Sequence, residues 1–354
     1  MIQRYVVSRD DEVYEAWPDL ARAQDGRLVC VFSECTHHLD RSFTRLVTVE
    51  SLDDGRSWSQ KRPLTEATRG LPYWDCARIT ALRDGRLAVV ADLIHGDERG
   101  DSSLLEVFLW LSSDHGMTWD GPQPVPVRGI VPDRLLELPS GRWLCAAHVV
   151  DPKTGYLMQR VWLSDDQGDT WHGPFAVAQQ VGLHLCEASL VPLEDGTVVA
   201  LMRENSGLGR DCYKAISRDW GEHWDGPYRF PLPGCHRPVG GMLQEGLVLI
   251  TYRFHHGGRS VWGGGTQNMM AALTNAPSLL STERQQATTR ILPLDYDHSA
   301  QPDLGYTGWV QLPDGSIYVV NYIMDDAPKG QIRGYRLDLT EWGDVSHLLR
   351  ISDA

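Results

Sequence analysis

Long apolar runs are missing from this sequence: no stretch approaches the roughly 18 continuous apolar residues that a bilayer-crossing helix needs. The expectation is a globular protein without a membrane partner. The opening MIQRYVVSRDDEVY lacks the basic-then-apolar order of a secretory leader, so a cytoplasmic protein, or a trimmed one, is expected. Positive charge is also short. Lys and Arg number 33 against 47 Asp and Glu, a formal net charge of -14, whereas nucleic-acid affinity draws on clustered cations that release counterions. A nucleic-acid partner is not expected, and an anionic ligand has to be met by a local pocket of arginines rather than by the overall field. The seven cysteines (30, 35, 76, 145, 186, 212, 235) form no CxxC pair and read as reduced thiols. No HExxH string and no Gly-rich phosphate loop occur, so neither a metal nor a cofactor is expected, although His-His pairs at 37–38 and 255–256, with His95, His148 and His236, offer scattered ligands. The glycines at 263–265 read as a flexible rim loop. Helical periodicity is weak, its best short candidate being residues 277–287.

What the chain has in quantity is repetition. SLDDGRSW (Ser51 to Trp58) returns as SSDHGMTW from Ser112 and SDDQGDTW from Ser164, with a worn copy, SRDWGEHW, from Ser217. Between these boxes runs a second marker, a glycine turn flanked by apolar stretches, at Gly26, Gly85, Gly141, Gly196, Gly246 and Gly315. The six glycines lie 59, 56, 55, 50 and 69 residues apart, a period that suits four short strands and their turns. Each marker predicts a hairpin, because Asp-Gly and Ser-Gly supply the positive φ angles of tight turns. Each box predicts a second turn, with its aspartate accepting backbone N–H groups, its glycine left-handed and its tryptophan covering apolar surface between neighbours. The fold expected is all-β: a six-bladed β-propeller of four antiparallel strands per blade, one domain over residues 1–354. The runs IQRYVVS (from Ile2) and QIRGYRLDL (from Gln331) are expected to share the last blade and tie the ends together.

In such a ring the innermost strands converge on one end of a central channel, so the segments before each marker meet in space. Here they hold Asp75, Arg78, Glu187, Arg237 and Tyr306, and the following strands end near Arg203, Arg253 and Arg259. Guanidinium groups are planar, permanently charged and suited to bidentate binding of carboxylates. Several of them around one funnel point to an acidic carbohydrate or a similar acid as the partner.

The boxes and the six-fold repeat resemble the sialidase (neuraminidase) superfamily over almost the whole chain. CEASLVPLEDGTVVALMREN is similar to the family segment that carries a glutamate and, on the next strand, an arginine that holds the substrate carboxylate, which places these roles on Glu187 and Arg203. GYTGWVQLPDGSIYVVNY resembles the stretch with the nucleophilic tyrosine, here Tyr306. The resemblance implies a retaining glycoside hydrolase for a sialic acid or related sugar, in which a neutral phenol attacks an anomeric carbon bearing a carboxylate. With a reference pKa of about 10, the phenol needs Glu187 as its base. The family's first arginine, from an Arg-Ile-Pro motif, is absent, since the matching place reads AWP (Ala16 to Pro18). Arg78 or Arg237 is the expected substitute, and the third arginine is Arg237, Arg253 or Arg259. Asp40, in ECTHHLDRS, is the candidate proton donor, with His37 or His38 as the other choice. A polysaccharide lyase or other glycosidase acting on a uronic acid, and a carbohydrate-binding propeller without catalysis, are the alternative readings.

Overall fold

Twenty-four strands in six four-stranded antiparallel sheets make up the computed structural model, which describes residues 1–255 and 265–349. The first blade holds β2 (Tyr14–Arg22), β3 (Leu28–His37), β4 (Asp40–Ser51) and the short β5 (Arg62–Pro63). The second holds β6 (Tyr73–Ala81), β7 (Leu87–Ile94), β8 (Leu105–Ser112) and β9 (Asp120–Arg128). The third runs through β10 (Leu136–Glu137), β11 (Trp143–Val150), β12 (Leu157–Ser164) and β13 (His172–Ala178). The fourth comprises β14 (Leu185–Pro192), β15 (Val198–Glu204), β16 (Asp211–Ser217) and β17 (Asp225–Pro233). The fifth comprises β18 (Cys235–Met242), β19 (Leu247–His255), β20 (Gln267–Asn275) and β21 (Arg290–Tyr296). In the sixth, β22 (Leu304–Gln311), β23 (Ile317–Ile323) and β24 (Gln331–Leu337) are completed by β1 (Gln3–Ser8) from the other end of the chain, with Gln3 opposite Arg336. This is the expected propeller, closed in the expected blade. The one helical candidate forms a single turn, Ala276–Leu280, capped by the Asn275 side chain. No helix among the described residues is long and apolar enough to cross a membrane.

Each glycine marker occupies the turn between the first and second strands of its blade, with φ from +77° to +94°. The boxes close the turn between third and fourth strands. In the first, Ser57 N–H donates to Asp53 Oδ1 at 2.9 Å, the Ser57 hydroxyl to Oδ2 at 2.6 Å, and Gly55 N–H to the Ser51 hydroxyl at 2.9 Å. The same bonds recur around Asp114 and Asp166, and a histidine replaces the hydroxyl residue at Asp219. These bonds hold the Asp53 and Asp114 carboxyls down at about 2, led by the hydroxyls of Ser57 and Thr118. Each box also presses on the preceding blade. Tyr318 of β23 donates its hydroxyl to Gly55 O at 2.7 Å, and a Cβ on Gly221 would meet Leu144 of the third blade at 2.9 Å.

The core therefore lies between blades, in sheet-to-sheet layers such as Leu138, Leu144 and Val161 against Leu190, Val198 and Met202. Replacing Asp53 by alanine removes an acceptor for three donors. It is expected to cost about 1–2 kcal/mol, read as a lower urea midpoint with unchanged far-ultraviolet circular dichroism.

Candidate functional site

Five of the six innermost strands break register near their channel end. Bulges separate Ala16 from Asp19, Trp74 from Ala77, Cys186 from Ser189, His236 from Val239 and Gly305 from Gly308. The first residue of each bulge is Trp17, Asp75, Glu187, Arg237 or Tyr306. Of these, Trp17, Glu187, Arg237 and Tyr306 have φ between +48° and +54°, as Val131 does at +49° in the third blade. A bulge re-aims one side chain out of the pleat, and positive φ at non-glycine residues is strain that the surrounding fold must hold. Glycines flank Tyr306 for steric reasons: a Cβ at Gly305 would lie 2.9 Å from Arg253 Cβ, and one at Gly308 would lie 2.3 Å from Asp19 Oδ1.

The bulges open into a cavity of about 670 Å³ whose lining includes Trp17, His38, Arg41, Asp75, Glu98, His148, Glu187, Arg203, His236, Arg253 and Tyr306. At its centre the Tyr306 hydroxyl donates to Glu187 Oε1 at 2.6 Å, and Arg203 Nη1 donates to the same oxygen at 2.7 Å. Glu187 Oε2 has no hydrogen-bond partner among the described residues. Burial would raise the Glu187 carboxyl, but Arg203, Arg253 and the Tyr306 hydroxyl outweigh it, and the group titrates below its ordinary value. Tyr306 moves the other way, pushed well above the usual phenol by burial and by the Glu187 charge. The pair is thus a neutral phenol facing an ionised base, as proton abstraction requires. Arg253 and Arg237 place their guanidinium carbons 5.6 and 5.8 Å from the Tyr306 ring centre. Burial pulls His148 down to about 4 and His236 well below its ordinary value. His148 Nδ1 accepts the Glu187 N–H at 3.4 Å.

A model of the BNR repeat-like domain matches residues 83–319 of the chain. The chain belongs to that family. No curated protein matches this BNR repeat-like protein in sequence. Among solved structures it resembles a protein of unknown function from Dyadobacter fermentans, at 21% identity and a TM-score of 0.78, covering 95% of this chain and 99% of that one. A Hadza microbial sialidase aligns at 17% identity and a TM-score of 0.73, over 96% of this chain and 69% of the other. The Trypanosoma rangeli sialidase, solved with 2,3-difluorosialic acid as a covalent intermediate, aligns at 14% identity and a TM-score of 0.67, over 96% and 59%. The fold of this BNR repeat-like protein is sialidase-like.

Of the residues singled out from the sequence, Tyr306, Glu187, Arg203, Arg253 and Asp75 line the cavity together, and Arg259 lies outside the described residues. Four others are corrected by position. Arg78 and Arg237 are fully buried and are absent from the cavity lining. Arg78 donates to the carbonyls of Pro18 and Thr307, and Arg237 to those of Ala188 and Pro132, so both brace inner strands instead of facing a ligand. Asp40 is exposed and accepts the N–H of Ser42 in its own hairpin at 2.8 Å. His37 is exposed beside the Tyr14 ring, at 5.2 Å. Their neighbours turn inward: His38, bonded through Nδ1 to Asp303 at 2.6 Å, and Arg41, bonded to Asp75 at 2.9 Å. Within ECTHHLDRS, the signal that separates Arg41 from Asp40 is alternation, which along a strand puts the two on opposite faces. Glu98, on the loop after β7, has no motif to mark it. Burial, then the Asp75 charge, raises its carboxyl.

Asp75, Cys76 and Asp92 bring ligand atoms within 4.8 Å of one another. They fit a metal poorly, since the Asp92 oxygens accept the N–H groups of Cys76 and Val131 and Asp75 is held by Arg41. Removing Arg203 strands a buried carboxylate. Arg203→Met is expected to destabilise the protein by about 3–5 kcal/mol, and Arg203→Met with Glu187→Gln by much less, measured as a double-mutant cycle in urea.

Proposed function

We propose that this protein is a retaining glycoside hydrolase for an acidic sugar of the sialic acid class. The observation that carries the reading is the 2.6 Å hydrogen bond from the Tyr306 hydroxyl to Glu187 Oε1 within a cavity that also holds Arg203 and Arg253. Sialidases are known exceptions to the two-carboxylate scheme because their nucleophile is a tyrosine. A neutral phenol can approach an anomeric carbon that carries a carboxylate without charge repulsion, and Glu187 takes its proton as the bond forms. The negative charge of the glutamate is in turn held by Arg203, which keeps the base ionised at the moment of attack. Arg203 and Arg253 receive the sugar carboxylate. The leaving oxygen is protonated from the cavity wall, by His38 oriented through Asp303 or by Glu98, whose carboxyl is biased toward its protonated form. The sialidase names of the structural neighbours support the substrate class, and their low identity leaves the test to the residues of this chain.

Tyr306→Phe is expected to lower kcat on an aryl sialoside by about 10³-fold or more, with binding and fold retained. Proton NMR of the wild-type reaction should show the product first released with its anomeric configuration kept. An unsaturated product absorbing in the ultraviolet would instead establish a lyase. The pH profile gives a second check. Because the Glu187 carboxyl lies below its ordinary value, the base stays ionised as the solution is acidified, so the acid limb of kcat is expected below the usual glutamate value of about 4.3. His38→Gln and Glu98→Gln then assign the donor, since the alkaline limb is lost in the variant that removes it.

A further inference from the structure

The bulge in β14 takes the N–H groups of Glu187 and Ala188 out of the ladder with β15, and side chains of the third blade receive both. His148 Nδ1 accepts from Glu187 at 3.4 Å, and Gln159 Oε1 accepts from Ala188 at 3.3 Å. The two acceptors are buried and stand opposite each other on β11 and β12. At other bulges of the inner ring an oxygen does this work: Asp92 for Cys76 and Val131, and Asn321 for Gly305, each at 2.8 Å. At Glu187 the acceptor is an imidazole nitrogen, which accepts only while it carries no proton, so the bond fixes the tautomer with the proton on Nε2. Protonated, Nδ1 becomes a donor that opposes the Glu187 N–H. Glu187 depends on this hold, because its φ of +49° is strain that its neighbours must contain. The charged groups that face His148 are Glu187 and Arg203 of the fourth blade and Arg237 of the fifth. Burial, opposed by the Glu187 charge and aided by the two guanidiniums, keeps the ring down at about 4. The imidazole is therefore an uncharged acceptor in the range where Glu187 has to act as a base.

We propose that His148 is a positioning residue for the proton transfer: its neutral imidazole holds the strained Glu187 backbone so that the carboxylate faces Tyr306, and a proton on Nδ1 releases it. The inference rests on the reading of Glu187 as the base of Tyr306. It adds a second group, besides the carboxylate, that must be free of a proton before the phenol can react.

The test compares wild type, His148→Asn, His148→Gln and Gln159→Met on an aryl sialoside across the acid limb, with far-ultraviolet circular dichroism at each pH. Asparagine keeps an acceptor oxygen at the place of Nδ1 but has nothing to protonate, whereas glutamine sets its amide further out, at the place of Nε2. The expected result is a kcat lowered about 10-fold or more in His148→Gln and Gln159→Met, with KM changed far less, because a displaced catalytic group costs rate. His148→Asn recovers most of that loss. The acid limb separates positioning from a merely structural role: the slope of log kcat against pH approaches two in wild type and in Gln159→Met, where Glu187 and His148 both take up protons, and is one in His148→Asn. A slope of one in wild type, an unchanged limb in His148→Asn, or full activity in His148→Gln overturns the proposal. Wild type alone gives a readout that needs neither variants nor substrate. Nitrogen NMR is expected to show the Nε2–H tautomer of His148, with the Glu187 amide shifting at the same midpoint as the imidazole; an Nδ1–H tautomer, or an amide that does not follow, also overturns it. Failure of the parent reading looks different: a wild type that turns over no sialoside yet shows this shared titration keeps the hold of His148 on Glu187 and removes the catalysis it would serve.

Discussion

Closure of the ring is the constraint on which everything else in this molecule depends. Glu187 and Tyr306 are 119 positions apart, and their side chains meet only because the last blade is pressed against the first. That contact has no slack. Gly308 passes Asp19 so closely that no side chain fits, the Tyr318 hydroxyl reaches across to the first box, and β1 supplies the outer strand of the blade in which Tyr306 stands. A propeller has nearest-neighbour contacts like those of an open repeat array, but joining its ends converts a row of blades into one fixed geometry. Placement of the phenol against its base is therefore a property of the closed ring and not of either blade alone.

Within that geometry, charge is balanced locally although the chain as a whole is acidic. Three arginines of the cavity each face one carboxylate: Arg41 with Asp75, Arg203 with Glu187, and Arg253 with Asp303. Buried pairs of this kind add little net stability, because desolvation takes back most of the attraction. Their effect is to fix orientation, since each guanidinium has donors committed to the protein. Tyr306 remains neutral and Glu98 is biased the same way, so the cavity presents held cations and few exposed negative groups. Burial that would be costly for an unpaired ion here sharpens the difference between Glu187 and Tyr306.

The fold was legible because its signals are local and repeated. A glycine turn and an Asp box each carry their own stereochemistry, and the spacing of six markers then gives the number of blades. Tyr306, Glu187 and Arg203 were legible because they sit in long strings whose flanking residues the ring demands. The other side of the cavity was not, because it is built by a hairpin and a loop. Between Asp40 and Arg41, or between His37 and His38, composition offers no choice; the choice is made by the turn joining β3 to β4, which sends one residue of each pair into water and the other inward. Glu98 owes its place to packing beside Tyr73, which donates to it at 2.5 Å, and no residue near it in sequence announces that contact.

The arginines that proved not to line the cavity show how the ring supports the chemistry from below. Arg78 and Arg237 stand three blades apart and reach in from opposite sides. One bonds the inner strands of blades one and six, the other the inner strand of blade four and the segment that leads into blade three. They occupy the channel where a smaller residue would leave the bulges unsupported, and their donors satisfy carbonyls of the strained segments themselves, including Pro18 beside Trp17, Thr307 beside Tyr306 and Ala188 beside Glu187. Arg237 also comes within 5.8 Å of the Tyr306 ring without reaching the cavity. An arginine-rich inner ring therefore does two jobs at different depths: the upper members line the cavity, and the lower ones hold the backbone in the conformation that presents Glu187 and Tyr306 to each other.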